Sequence, residues 1–181
     1  TIILYPDNDF SKYVEKNLNL VGIKNKKLFK YSEDPKKLTS QIEKLTNYKQ
    51  RKRNLESRIK KLENSDTNED LRELELLKQK HTLGRVNFDS VVIIDFGNGL
   101  KSVLTSLAYT DVLGDDVLII TANQWFDKSI LNESSIKNFY FPSINFKNLK
   151  DFKKKFNEFY NYNPGDITIL SYESVGLVYY F

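Results

Sequence analysis

The sequence predicts an α/β fold, an open doubly wound parallel sheet with an α-helical hairpin inserted into it. Three observations predict this. Val91 to Ile94 and Val117 to Ile120 are apolar at every successive residue, so neither face of those strands can lie in water, as in the centre of a parallel sheet. Stretches with helical spacing alternate with the strands, and that alternation requires crossover connections. Residues 33–85 break the alternation with a long, highly charged helical segment. At 181 residues the chain is one ordinary domain, read as a single lobe over 1–181 with the hairpin over 33–85.

Taken in order, Ile2 to Leu4 forms a short strand ending at Tyr5-Pro6. Asp7-Asn8-Asp9 then supplies N-cap chemistry for a helix through Phe10, Tyr13, Val14, Leu18 and Val21. Gly22 suits the C-cap, and Lys27 to Tyr31 (KLFKY) alternates as a second strand. Val91 to Phe96 is the third strand, Asn98-Gly99 the turn, and Leu100, Val103, Leu104 and Leu107 mark an amphipathic helix closed by Gly114. The strand Val117 to Thr121, the loop Ala122 to Asp127 and the short strand Phe139 to Phe141 follow. An aromatic-faced helix carries Leu149, Phe152, Phe156 and Phe159, and a last helix starts near Ile169.

Within the insertion, Asp34-Pro35 starts a helix with Pro in its first turn. Leu38, Ile42, Leu45, Tyr48, Leu55, Ile59 and Leu62 give one narrow stripe, interrupted where the QRKR run sets Lys52 on the seam. Asn64 to Asn68 turns the chain, with Asp66 and Glu69 as a capping box, and Leu71, Leu74 and Leu77 continue the second arm. The basic run resembles a DNA-reading helix in composition, but that device needs several uninterrupted heptads and a parallel partner. Here the second arm folds back within a few residues, so no nucleic-acid partner is assigned. Arg51, Lys52, Arg53 and Arg58 are instead expected on a face that meets a protein or cell-wall partner.

Hydrophobic residues at 40% and aromatics at 13% place the chain in the globular class, and its net charge of +4 reads as a solvated surface. With no cysteine, thiol catalysis, cysteine zinc sites and disulfides are excluded. His81 is the lone histidine, so a His-rich metal site is excluded and a Ser-His-Asp triad has a single candidate base. No apolar run approaches the roughly 20 residues of a membrane helix. The chain opens on an apolar strand without Met and stops inside an apolar pattern, so the sequence reads as a piece of a longer protein.

In open parallel sheets, ligands bind outside the carboxyl ends of the strands. That rule nominates Tyr5 to Asp9, Asp95 to Gly99 and Asn123 to Asp127. Gly97-Asn98-Gly99 lacks the third glycine of a dinucleotide loop, where Ser102 stands, so no cofactor is assigned. Asp95 after VVII matches the phospho-acceptor position of a receiver domain, but Lys128 follows in the wrong loop context. Asp7, Asp9, Asp95 and Asp127 could converge on a metal or act as acid and base, although an Asp after a strand commonly caps the next helix. Trp125 between amides suits either stacking on a ligand or core packing.

TIILYPDNDFSKYVEKNL resembles the opening of the second lobe of type I periplasmic solute-binding proteins, the Leu/Ile/Val-binding family. FPSINFKNLKDFKKKFNEFYNYNPGDITILSYESVGLVYYF is similar to that family's late stretch, with Ser-Tyr-Glu where Ala-Tyr-Asp is typical. Within the superfamily the hairpin looks most like the penicillin-binding protein activator branch. The resemblance implies a non-catalytic periplasmic or envelope protein that closes a small polar ligand, such as an amino acid, between two lobes. Its partners would be the membrane component of an ABC transporter or, in the activator branch, a peptidoglycan synthase. The implied cleft residues are Tyr5, Asp7, Asp95, Phe96, Asn123, Gln124 and Trp125, with Asp95 nearest in kind to the carboxylate that holds a ligand ammonium.

Overall fold

The computed structural model describes residues 1–22, 26–65, 67–113, 117–122, 139–165 and 167–178. Five strands form one all-parallel sheet in the order β2-β1-β3-β4-β5. They are β1 (Ile2–Pro6), β2 (Lys27–Tyr31), β3 (Ser90–Ile93), β4 (Leu118–Thr121) and β5 (Phe139–Tyr140). β1 is buried at all five positions, as a strand flanked on both sides must be.

Side chains of a strand alternate between faces, and β1 divides accordingly. Ile2 and Leu4 join Val91, Ile93 and Ile119 in a core completed by α2 (Pro35–Leu45) and α5 (Gly97–Tyr109). Leu38, Ile42, Leu100, Val103 and Leu107 are the helical contributors and are almost fully buried. Ile3 and Tyr5 instead pack with Val14 and Leu18 of α1 (Phe10–Leu20), alongside Val92 and Ile94. Asp9 is the N-cap of α1 and makes no side-chain cap bond, while Asn8 just before it accepts the Phe10 N–H on its side-chain oxygen at 3.0 Å.

The segment expected as one long first arm is two helices. α2 ends at Leu45 with Thr46 as its C-cap, and Asn47 takes a left-handed φ of +51° that an Asn tolerates, turning the chain into α3 (Tyr48–Leu62). The break has a packing cause. The α2 stripe faces the sheet core, whereas Leu55, Ile59 and Leu62 of α3 face Leu74 and Leu77 of α4 (Asn68–Lys78). After the turn the α3 seam runs through Tyr48, Arg51, Leu55 and Leu62, so Arg51 rather than Lys52 occupies it. The cap of α4 is Thr67, which accepts the Asp70 N–H at 3.3 Å, while Asp66 lies outside the described residues.

Two further boundaries differ from expectation. Gly97, at φ +52°, makes the turn after β3, so Asn98 and Gly99 already belong to α5. α5 ends at Tyr109, with Asp111 in the left-handed region, and Gly114 lies outside the described residues. At the far edge, α6 (Phe146–Tyr160) and α7 (Thr168–Val178) share a small core of Leu149, Phe152 and Ile169. Among the described residues no helix is long and apolar enough to cross a membrane.

Candidate ligand site at the carboxyl ends of β1 and β3

β1 leads through α1 to β2 on one side, and β3 leads through α5 to β4 on the other. Connections leaving adjacent strands in opposite directions open a crevice at their carboxyl ends. Asp7 and Asn8 border it from β1, Asp95 and Phe96 from β3, and Tyr31 to Glu33 from β2.

Asp95 is the best-fixed group there. The Tyr31 hydroxyl reaches across the end of β1 and donates to Asp95 Oδ2, while Oδ1 accepts the Phe96 N–H at 2.7 Å. Burial first, and the Asp95 hydrogen bond second, push the Tyr31 pKa far above its ordinary value, so this phenol is a permanent donor. The carboxylate lies against the first turn of α5, where partial positive charge favours it. Gly99 leaves it room: a Cβ at that position would stand 2.8 Å from Asp95 Cγ.

On the α1 side the charges form a linear chain from Asp7 through Lys30 and Glu15 to Tyr5. Lys30 Nζ lies 3.1 Å from Glu15 Oε1 and 3.8 Å from Asp7 Oδ1, and the Tyr5 hydroxyl donates to the same Glu15 oxygen at 3.0 Å. The Lys30 contact, followed by that of Tyr5, lowers the Glu15 pKa, and Glu15 in turn raises that of Lys30. Tyr5 is pushed up to about 12, by burial and then by Glu15. Asn8 Nδ2 donates to Glu33 Oε1 at 2.6 Å and links the loop after β1 to that after β2. A shallow groove of about 300 Å³ between α2 and α5, lined by Pro35, Thr39, Asn98, Lys101 and Ser102 among others, opens beside this rim.

Of the residues predicted for the site, Asp7, Asp95 and Phe96 border the crevice, and Phe96 is 40% exposed. Tyr5 does not line it. Its ring is a core element at 3% exposure, because alternate β1 side chains turn toward α1. Asn123, Gln124, Trp125 and Asp127 lie outside the described residues. Among the described residues no three His, Cys, Asp or Glu side chains gather as a metal ion would require, so Asp7, Asp9 and Asp95 do not form such a group. Sequence reasoning missed Tyr31, Glu15 and Lys30, and it nominated Gly99 only as part of the loop after β3, without its packing against Asp95. The one available signal was the pairing of KLFKY with β1, which sets Tyr31 beside Pro6 at the same sheet edge.

The four basic residues predicted for a partner face separate into three environments. Arg51 is a correction: it is buried at 7% exposure and does not lie on an exposed face. Its guanidinium donates to the carbonyls of Gly84, Thr110 and Asp111 and to Thr82 Oγ1 at 2.8–3.1 Å, tying α3 to the end of α5. Arg58 makes a two-pronged pair with Glu73 of α4, at 2.9 and 2.6 Å. Lys52 and Arg53 are exposed. No family model, curated protein or solved structure matches the chain.

Proposed function

We propose that the chain is a non-catalytic ligand-binding lobe of the Leu/Ile/Val-binding type, doubly wound, with the α3 and α4 hairpin inserted between its second and third strands. It works in the periplasm or cell envelope, where hinge motion closes a small polar ligand between this lobe and a second one for delivery to a membrane transporter. The observation that carries the reading is the all-parallel β2-β1-β3-β4-β5 order with Asp7, Asp95 and Phe96 at the β1/β3 crevice. Asp95 is held in one orientation by Tyr31 and Phe96, so little side-chain freedom is lost when a ligand ammonium approaches. Phe96 offers an apolar surface beside it. The reading assigns no catalytic residue and no cofactor.

Thermal unfolding of the chain with a panel of L-amino acids and short peptides tests this. A ligand that binds the folded state alone stabilises it by RT ln(1 + [L]/Kd), about 2.7 kcal/mol at a hundredfold excess over Kd. At least one panel member should raise the Tm, and Phe96→Ser should remove the rise. A panel without any shift overturns the reading.

A second reading is supported by α3, which carries Lys49, Arg51, Lys52, Arg53, Arg58, Lys60 and Lys61 against the single acid Glu56. In it, the chain is an envelope protein that contacts a peptidoglycan synthase through the hairpin. Capture of a synthase that is lost on charge reversal in α3 would support this reading, and capture indifferent to α3 would remove it.

A further inference from the structure

We propose that the outward face of α3 is a docking strip for an acidic, helical segment of a protein partner, with Lys49, Arg53, Lys60 and Lys61 as its contacts. The proposal rests on the reading of α3 and α4 as a partner-contact hairpin. It replaces Arg51 and Arg58, which are committed within the fold, by residues that are not.

At about 3.6 residues per turn, Tyr48, Arg51, Leu55 and Leu62 define the inward side of α3. The opposite side presents Lys49, Arg53, Lys60 and Lys61, all exposed, interspersed with Gln50, Ser57 and Asn64. Among the described residues none of the four cations has a carboxylate within ion-pair distance. From Lys49 to Lys61 the strip runs about 18 Å at about 1.5 Å per residue. Leu55, Leu62, Leu74 and Leu77 fix the helix from behind, so the cations sit on a preformed backbone.

Chemistry chooses the partner. A continuous phosphate backbone laid along the strip would also meet Glu56, which stands between Arg53 and Lys60 at three- and four-residue spacing, and Glu63 beyond it, both exposed, and the face carries no aromatic ring on which a base could stack. An anionic membrane surface is gripped by apolar residues interleaved with basic ones, and the strip has none. A helix can place acids opposite Lys49, Arg53 and Lys60 and a neutral or basic residue opposite Glu56, a pattern that a uniform phosphate chain cannot make. Such contacts in water are individually weak and screened by salt, so the strip would orient and accelerate encounter more than hold the complex.

The test is fluorescence anisotropy of a labelled helical peptide with Glu at positions matching the strip, titrated with the full chain. A peptide with Lys at those positions, a short DNA duplex and anionic vesicles are the competing probes. The Glu peptide should bind saturably at about 25 mM salt and lose roughly tenfold in affinity at about 200 mM, as charge screening requires. The double variant Arg53→Glu/Lys60→Glu should abolish binding with an unchanged thermal melt, while Lys27→Glu/Lys150→Glu, on exposed lysines elsewhere, should bind as the parent does. Equal binding of Glu and Lys peptides, insensitivity to the double variant, or preference for duplex or vesicles overturns the proposal. So does synthase capture that needs α3 while the Glu peptide fails to bind, an outcome that leaves the hairpin reading standing.

Discussion

Lys30 and Arg53 are both exposed cations, but Lys30 is held between Glu15 and Asp7, whereas Arg53 meets no carboxylate among the described residues. The difference extends to their surroundings. At the sheet rim, Tyr31 with Asp95, Tyr5 with Glu15 and Asn8 with Glu33 tie three strands and α1 together. On α3, the charged groups that hold the fold point inward or toward α4, and the outward ones are left to solvent. A rim whose charges are internally fixed is suited to a small ligand that must find its contacts already oriented. A strip of unpaired cations on a rigid helix is suited to a larger acidic surface.

The comparison predicts a large stability effect for internally committed charges and almost none for the strip. The largest is Arg51→Ala, which leaves three carbonyls and Thr82 without their donor. A loss of about 3 kcal/mol is expected in urea unfolding, and a loss below about 1 kcal/mol would sever the α3 anchor from the account. Gly99→Ala follows. In an ordinary helix this change gains about 1 kcal/mol, but here the new methyl displaces the Asp95 carboxylate and a loss of about 1–3 kcal/mol is expected. In an Asp95→Ala background the same change should turn stabilising, a coupling that a double-mutant cycle reads directly.

Tyr31→Phe, which removes one buried donor from Asp95, should cost about 1 kcal/mol. The rim phenols also set a pH dependence. Their folded pKa values lie above the ordinary value of 10.0, so their contribution is complete below pH 10 and is lost as pH rises through the folded values. For Tyr5 the window runs from 10 to about 12, and Tyr5→Phe should flatten the stability profile across it. A parent profile that stays level there would contradict the burial of these hydroxyls. Arg58→Ala should lower the Tm only marginally, since its pair with Glu73 is exposed on both sides. Arg53→Glu should stay within about 0.5 kcal/mol of the parent.

The sheet was legible because its signal is local. The uniform apolar run of Val91 to Ile94 and the alternation in KLFKY each lie within one strand, and neither depends on what packs against it. The break at Asn47 was not legible. The apolar stripe continues across it in sequence, and only tertiary packing reveals that α2 and α3 turn their stripes to different partners. Arg51 was misread because no apolar residue stands between Tyr48 and Leu55, and a four-residue step from Tyr48 lands on Lys52 whereas the buried position is three residues on. The Tyr31 and Asp95 contact joins residues 64 apart and became visible only once β2 and β3 were known to flank β1. Asp95 itself was found from its place after a strand, whereas Tyr5, chosen by the same rule, belongs to the face covered by α1.

The most direct measurement is an amide chemical-shift map of the chain, titrated with the amino acid or short peptide that gives the largest thermal shift. The account predicts saturable changes concentrated at Asp7, Asn8, Asp95, Phe96 and Gly97, with the amides of α3 unmoved. Changes confined to α3 and α4, or spread evenly over the sheet, would contradict a ligand site at the β1/β3 crevice.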